Sequence, residues 1–311
     1  MATLKELSNV PEVLAPGHRM CAGCGAPVVV RQILRGAKAP VVVANATGCL
    51  EVSTTIYPYT SWNSPFIHTA FENAAASLSG VEAAYNSLKR QGKITEEIKF
   101  VAFGGDGGTY DIGLQSLSGA MERGHNMVYV CYDNGAYMNT GIQRSSATPK
   151  GADTTTTPVG KLQPGKTDHR KDLTKIMIAH GIPYVAQVAP SHWNDLYQKS
   201  EKAFAVEGPA FINALAPCPR GWRYESKDTI EMCRLAVDTC FWPLYEAVDG
   251  KITVTYKPRN KKPVADFLKA QGRFRHLFRP ENEHILEDIQ SEVDRQWEEL
   301  LALEQMAAEQ A

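Results

Sequence analysis

From about residue 28 to residue 215, short runs of apolar, β-branched residues alternate with longer stretches whose apolar positions recur at helical spacing. The runs "APVVVANATG" (39–48), "IKFVAFGGDG" (98–107) and "NMVYVCYDNG" (126–135) lack strict polar alternation, and each ends in glycine. Strands covered on both faces, as in a parallel sheet, have this character. "YVAQVAP" (184–190) and "PAFINALAPC" (209–218) continue the series. Between the runs lie "AFENAAASLSGVEAAYNSLKRQG" (70–92), "DIGLQSLSGAMERG" (111–124) and "DLTKIMIAHG" (172–181), rich in helix formers and each stopped by glycine. Strand, helix and strand in that order predict an α/β fold built on a doubly wound parallel sheet.

The pattern breaks in two places. Residues 145–168, "SSATPKGADTTTTPVGKLQPGKTD", are rich in Thr, Pro and Gly, and so long a loop inside a compact domain is usually functional. Beyond residue 256 a basic, proline-interrupted stretch (257–279) precedes a Glu-rich helical tail. The chain therefore divides into an α/β domain over 1–255 and an extension over 256–311 that packs on the core or on a partner subunit. The basic stretch is a candidate docking face for an acidic electron carrier, against the plainer reading of a solvated or subunit-packing surface.

With 43% hydrophobic and 22% charged residues, the chain has the makeup of a globular protein with a sizeable core. A formal net charge of −1 gives no global attraction to nucleic acid or an anionic membrane. "MATLKELSNVPEVLAPG" carries no basic segment followed by an apolar one, and the apolar runs are too short to span a bilayer, so a cytoplasmic location is expected. The seven cysteines (Cys21, Cys24, Cys49, Cys131, Cys218, Cys233, Cys240) are too sparse for a disulfide scaffold and suit metal or redox use under reducing conditions.

The candidate chemistry lies at strand ends. The second run closes in Gly104-Gly105-Asp106-Gly107-Gly108, and the third, a helix later, in Asp133-Asn134-Gly135. Ligands of open parallel sheets sit outside the carboxyl ends of the strands, so Asp106 and Asn134 are expected side by side there. Glycines let backbone amides approach phosphate, a helix beginning after Tyr110 would add partial positive charge, and a carboxylate with an amide oxygen suits Mg²⁺. The pair spells a magnesium–diphosphate site and matches the thiamine diphosphate motif of G-D-G followed by Asn.

Gly160-Lys161-Leu162-Gln163-Pro164-Gly165-Lys166-Thr167 also fits the P-loop pattern letter for letter. A P-loop needs a buried strand before it and a helix opening at Lys-Thr, whereas "ADTTTTPV" and Pro164 predict a surface loop.

Cys21 and Cys24, in "GHRMCAGCGAP", have the spacing of two thiolates on one metal centre, but a lone C-x-x-C is ambiguous between zinc, a redox dithiol and an iron–sulfur site. Cys49 and Cys218 end predicted strands on the same sheet edge as Asp106 and Asn134. The four together would make a [4Fe–4S] site, with zinc the competitor. Cys131 is expected in the core, and Cys233 and Cys240 read as structural.

Those stretches, with "ATGCLEVSTTIYPYTSW", "HTAFENAAASLSGVEAAY", "YMNTGIQRSSATPKGA" and "LAPCPRGW", resemble the β subunit of the 2-oxoacid:ferredoxin oxidoreductase family, pyruvate:ferredoxin type, over nearly the whole chain. The resemblance implies a proximal [4Fe–4S] cluster on Cys21, Cys24, Cys49 and Cys218. It implies Mg²⁺ on Asp106, Asn134 and the Ala136 carbonyl, and Asn139 as the catalytic asparagine near substrate and thiazolium. The implied cofactor-binding set is Gly48, Cys49, Gly105, Asp106, Gly107, Asn134, Ala136 and Asn139. Oxidative decarboxylation of pyruvate or a related 2-oxo acid would send electrons through the cluster to ferredoxin, with coenzyme A a candidate co-substrate. Partner subunits would supply the pyrimidine-activating glutamate and further clusters. Where the family pattern reads D-N-E-x-Y-x-N-T-G, this chain has Gly135 in place of the acid, which predicts tolerance of a more anionic substrate such as oxalate. The rival readings are a non-redox thiamine diphosphate decarboxylase with structural zinc and a P-loop nucleotide-binding regulator. His68 and Glu72 form a possible metal pair one helical turn apart, more simply a satisfied pair on a helix. Arg144 and Lys150 are candidate carboxylate binders.

Overall fold

The computed structural model describes residues 3–309. One eight-stranded sheet runs in the order β2-β1-β3-β4-β6-β5-β7-β8. Strands β1 (Val41–Ala46), β2 (Phe66–Thr69), β3 (Lys99–Gly105), β4 (Val128–Asp133), β5 (Tyr184–Val188) and β6 (Ala210–Leu215) are mutually parallel. Strands β7 (Leu244–Val248) and β8 (Lys251–Tyr256) form an antiparallel hairpin that extends the sheet beyond β5.

Side chains of each strand alternate between two apolar layers, as the period of two requires. Phe100, Ala102, Tyr129, Cys131 and Phe211 face the helices Ala74–Arg90, Leu114–Glu122 and Leu173–Ala179. Val101, Phe103, Val128, Val130 and Ile212 face the helices Gly25–Leu34 and Trp193–Ala205. Both faces are covered, which is why the five apolar runs show so little polar alternation. A third apolar cluster joins Trp222 and Trp242 to Phe267 and Phe274, and to Ile285, Ile289 and Val293 of the long helix Glu283–Glu309. Leu300 of that helix reaches the first layer beside Ile252 and Val254 of β8.

The structure departs from the sequence reading at several points. Helix Ala74–Arg90 starts after Asn73, so His68 lies on β2 and not on a helix with Glu72. Pro65 and the β-branched, aromatic run "FIHT" favour an edge strand there. The hairpin turn at Asp249-Gly250, with φ of 49° and 80°, has positive values at both positions, the signature of a tight two-residue turn. β1 ends at Ala46, so Cys49 opens the helix Cys49–Thr54 and does not end a strand. The helical turn after β3 begins at Gly107, ahead of Tyr110.

Candidate active site

The chain leaves β1 to one side for β2 and to the other for β3 and β4, so the sheet order reverses between β1 and β3. Outside the carboxyl ends of the strands at this switch point lies a cleft. The segments following β1 (Thr47–Cys49), β3 (Gly105–Gly108) and β4 (Asn134, Ala136–Thr140) line it. Its glycines are required by close approach. A Cβ at Gly107 would stand 2.3 Å from the Tyr137 ring, and one at Gly48 2.7 Å from Tyr132 Oη.

Asp106 is 1% exposed at the floor. Its Oδ1 accepts the Asn134 N–H at 3.2 Å, and its Oδ2 accepts the Ser145 hydroxyl at 2.5 Å. Burial, and then the neighbouring Asp133, push its carboxyl well above the usual range. One terminal atom of the Asn134 amide lies 2.9 Å from both Asp106 Oδ1 and the Ala136 carbonyl oxygen. With nitrogen in that position the amide donates to both. With oxygen there, three acceptors converge, an arrangement that a cation relieves. Octahedral Mg²⁺ with oxygens at about 2.1 Å spaces neighbouring ligand atoms about 3.0 Å apart, so the donor set fits the ion.

Three of the four predicted cluster cysteines sit at the start of helices. Cys24 precedes the helix Gly25–Leu34, Cys49 opens Cys49–Thr54, and Cys218 caps Pro219–Trp222, its Sγ accepting the Gly221 N–H at 3.4 Å. The Gly25 N–H donates to the Pro217 carbonyl at 3.0 Å, and the Arg19 N–H to Ser53 at 2.8 Å, which draws the three segments together. Burial pushes the Cys24 thiol up to about 12, and Cys218, Cys49 and Cys21 add to it. Cys49 is pushed up to about 11, by burial first and then by Cys218. Thiols that repel one another's ionisation in this way are relieved by binding metal as thiolates. Among the described residues, no three His, Cys, Asp or Glu side chains stand close enough to clasp one metal ion. Zinc bound at about 2.3 Å to each thiolate would need sulfurs within about 4 Å of one another. An iron–sulfur cluster places each thiolate on a separate iron, so its ligands need not converge on one ion. Cys49 belongs to both groups: it lines the cleft, and the Asn139 side chain reaches its thiol.

Residues 46–214 match the family model described as "Thiamine pyrophosphate enzyme, C-terminal TPP binding domain". The chain is 54% identical to the pyruvate synthase subunit PorB of Thermotoga maritima over 94% of this chain and 92% of that one. It is 55% identical to the PorB subunit of Methanocaldococcus jannaschii (91% and 94% covered) and 43% identical to the ketoisovalerate oxidoreductase subunit VorB of Pyrococcus abyssi (92% of each). The chain belongs to the thiamine-diphosphate-dependent 2-oxoacid:ferredoxin oxidoreductases, as a β subunit. A solved 2-oxoglutarate:ferredoxin oxidoreductase from Magnetococcus marinus shares the fold, with a TM-score of 0.54 at 22% identity over 73% of this chain and 78% of that one. These relatives favour neither the non-redox decarboxylase nor the nucleotide-binding regulator.

The β subunit surrounds its site with buried and half-buried groups that no sequence pattern announced. The Trp222 indole N–H donates to the Asn134 carbonyl at 2.6 Å, tying the loop after β4 to the segment of Cys218. Arg170 donates to Asp133 Oδ2 at 2.6 Å and to Tyr110 Oη at 2.9 Å. Arg273, from the stretch expected to be a basic surface, is 2% exposed and packs on Trp222. "LAPCPRGW" hinted at Trp222, whereas no local pattern marks either arginine.

Other candidates fall outside the site. Lys166 of the P-loop-like segment is buried, and its Nζ donates to the Thr148 and His169 carbonyls at 2.6 and 3.3 Å, with no strand before it and no helix at Lys-Thr. Lys150 pairs with Asp288 at 2.6 Å, and Arg144 is exposed. His68 bonds Thr47 Oγ1 at 2.6 Å and stands 3.6 Å from Glu51, with Glu72 exposed nearby. Cys131 is in the core, and Cys233 and Cys240 are buried in the third cluster. Gly135 has a φ of +71°, and a Cβ there would point at Arg273 Nη1, 3.1 Å away. It is not among the residues lining the cleft, and the relatives' names give pyruvate and ketoisovalerate, not oxalate.

Proposed function

We propose that this β subunit takes pyruvate as its 2-oxo acid, with coenzyme A as acyl acceptor and ferredoxin as electron acceptor. Pyruvate follows the PorB relatives, and the observation that carries the cofactor part of the reading is that a hard-oxygen cradle and a group of four thiols share a wall at Cys49. Asp106, Asn134 and the Ala136 carbonyl would hold Mg²⁺, with the backbone of Gly48, Gly105 and Gly107 against the diphosphate. Cys21, Cys24, Cys49 and Cys218 would hold a [4Fe–4S] cluster. Thiamine diphosphate supplies an electron sink for decarboxylation, and the cluster supplies one-electron acceptance.

The chain's own residues do the rest. Ser145 and the Asn134 N–H hold Asp106 in place for the metal. Asn139, at the cleft rim against Cys49, would orient the substrate carboxylate or its carbonyl. Among the residues lining the cleft the one carboxylate is Asp106, already committed at the floor, and the acid that activates the aminopyrimidine would come from a partner subunit. Residues 256–311 act as an extension around the 1–255 domain.

The test is anaerobic purification of the complex with its partner subunits, followed by iron, sulfide and thiamine diphosphate content. Turnover of pyruvate, 2-oxoisovalerate, 2-oxoglutarate and oxalate is then compared with a viologen acceptor, with and without coenzyme A. Pyruvate with coenzyme A should be fastest. Preference for another acid overturns the substrate, and protein without iron overturns the cluster.

A further inference from the structure

A charge withdrawn from water needs an opposite charge or hydrogen bonds in return. Among the described residues Arg273 has no ion-pair partner, and its one side-chain hydrogen bond runs from Nε to Gln271 Oε1 at 2.9 Å. Its guanidinium carbon lies 4.4 Å from the Trp222 ring centre and 5.0 Å from that of Phe274, and Nη1 faces Gly135. Trp222 ends the short helix that Cys218 caps, and it bonds the loop of Asn134. The guanidinium thus packs against Trp222, whose helix Cys218 caps, and against Gly135, which follows Asn134. Burial pulls it down to about 9, and the charges that favour it are, in order, Cys218, Asp133 and Asp106, with Arg170 opposing. Asp133 is already paired with Arg170, and Asp106 with Ser145 and the metal cradle. The partner left for Arg273 is Cys218 and whatever it ligates.

We propose that Arg273 is the fixed counter-charge of the iron–sulfur cluster held by Cys21, Cys24, Cys49 and Cys218, and that it raises the cluster's reduction potential. This rests on reading those cysteines as cluster ligands. Reduction adds one electron to an already anionic cluster, breaks no bond and requires no proton. The electron comes from the oxidation of the 2-oxo acid that the family catalyses. A cation fixed nearby in a low-dielectric region favours the reduced form. Arginine suits the place because it stays charged when buried and its plane stacks on aromatic rings.

The experiment is a redox titration followed by electron paramagnetic resonance on the anaerobically purified complex, with iron and sulfide measured on every sample. Clusters on other subunits serve as internal references. Arg273→Met should shift one signal to lower potential, weakening its reduction at least tenfold, which is about 59 mV for one electron. Arg273→Lys should retain most of the wild-type value. An unchanged potential in Arg273→Met at full iron content overturns the proposal and leaves the cluster assignment standing. Wild-type complex with no cluster on this subunit overturns both. Where Arg273→Met does not hold its cluster, Gly135→Asp and Gly135→Asn decide, since both residues tolerate positive φ. The aspartate, placed against Nη1, should lower the potential while the asparagine leaves it unchanged, and equal potentials overturn the proposal.

Discussion

Two arginines flank the loop after β4, Arg273 buried and Arg170 half-buried, and the protein treats them oppositely. Arg170 lies 4.7 Å from the Trp242 ring centre and gives its hydrogen bonds to Asp133 and Tyr110. Burial works against its charge, but Asp133 and Tyr110 outweigh burial and hold the guanidinium above its ordinary value. Arg273 has the same aromatic stacking on Trp222 and no carboxylate, and is pulled down. Stacking is common to both, so it does not decide whether a buried cation is comfortable. The facing anion does. Arg170 closes a network with Asp133 and Tyr110, while Arg273 makes a single side-chain hydrogen bond, to Gln271.

The largest effect should come from breaking the paired side. Arg170→Met strands the Asp133 carboxylate and should cost about 3–5 kcal/mol in denaturant unfolding. Arg273→Met, measured on metal-free protein, should be neutral or stabilising because no buried anion loses its partner. Equal losses for the two variants would break the comparison. Trp222→Phe keeps the ring under Arg273 but leaves the Asn134 carbonyl without its donor, for about 1–3 kcal/mol by the same measurement.

Lys166 sharpens the contrast through pH. It is pulled down to about 8, by burial first and by Arg144 next, below the usual lysine value of 10.5. The unfolded chain therefore binds more protons than the folded one between those values, so stability should rise with pH from about 8 toward 10.5. Below that window both states are protonated and the full penalty remains. Lys166→Met should flatten the slope, and an unaltered slope assigns it to other groups. The smallest effect belongs to Asp288, an exposed carboxylate beside Lys150 and His169, where Asp288→Asn should change stability by no more than about 1 kcal/mol.

Much of the frame was legible before any fold was seen. The five apolar runs became β1, β3, β4, β5 and β6 because burial on both faces leaves an unbroken mark in sequence. The placement of Gly105, Asp106, Gly107 and Asn134 along one cleft was legible because close backbone approach demands glycine at short spacing after a strand. The Asp249-Gly250 hairpin was equally legible in principle, from a turn dipeptide between alternating strands, yet it was missed beside the louder parallel pattern. His68 was misplaced because the alanine-rich helix begins only at Ala74 and the periodicity blurs across that boundary.

By itself, then, the order of residues determined a doubly wound sheet with a glycine-rich turn after β3. Only tertiary structure decided that Trp222 would bind the Asn134 carbonyl, that Asp133 would pair with Arg170, and that Arg273 would leave the basic surface for the interior. The physical reason is range. Periodicity and spacing report what a segment needs from its own neighbours, whereas the charge facing a buried guanidinium comes from a distant part of the chain and exists only once the layers have packed.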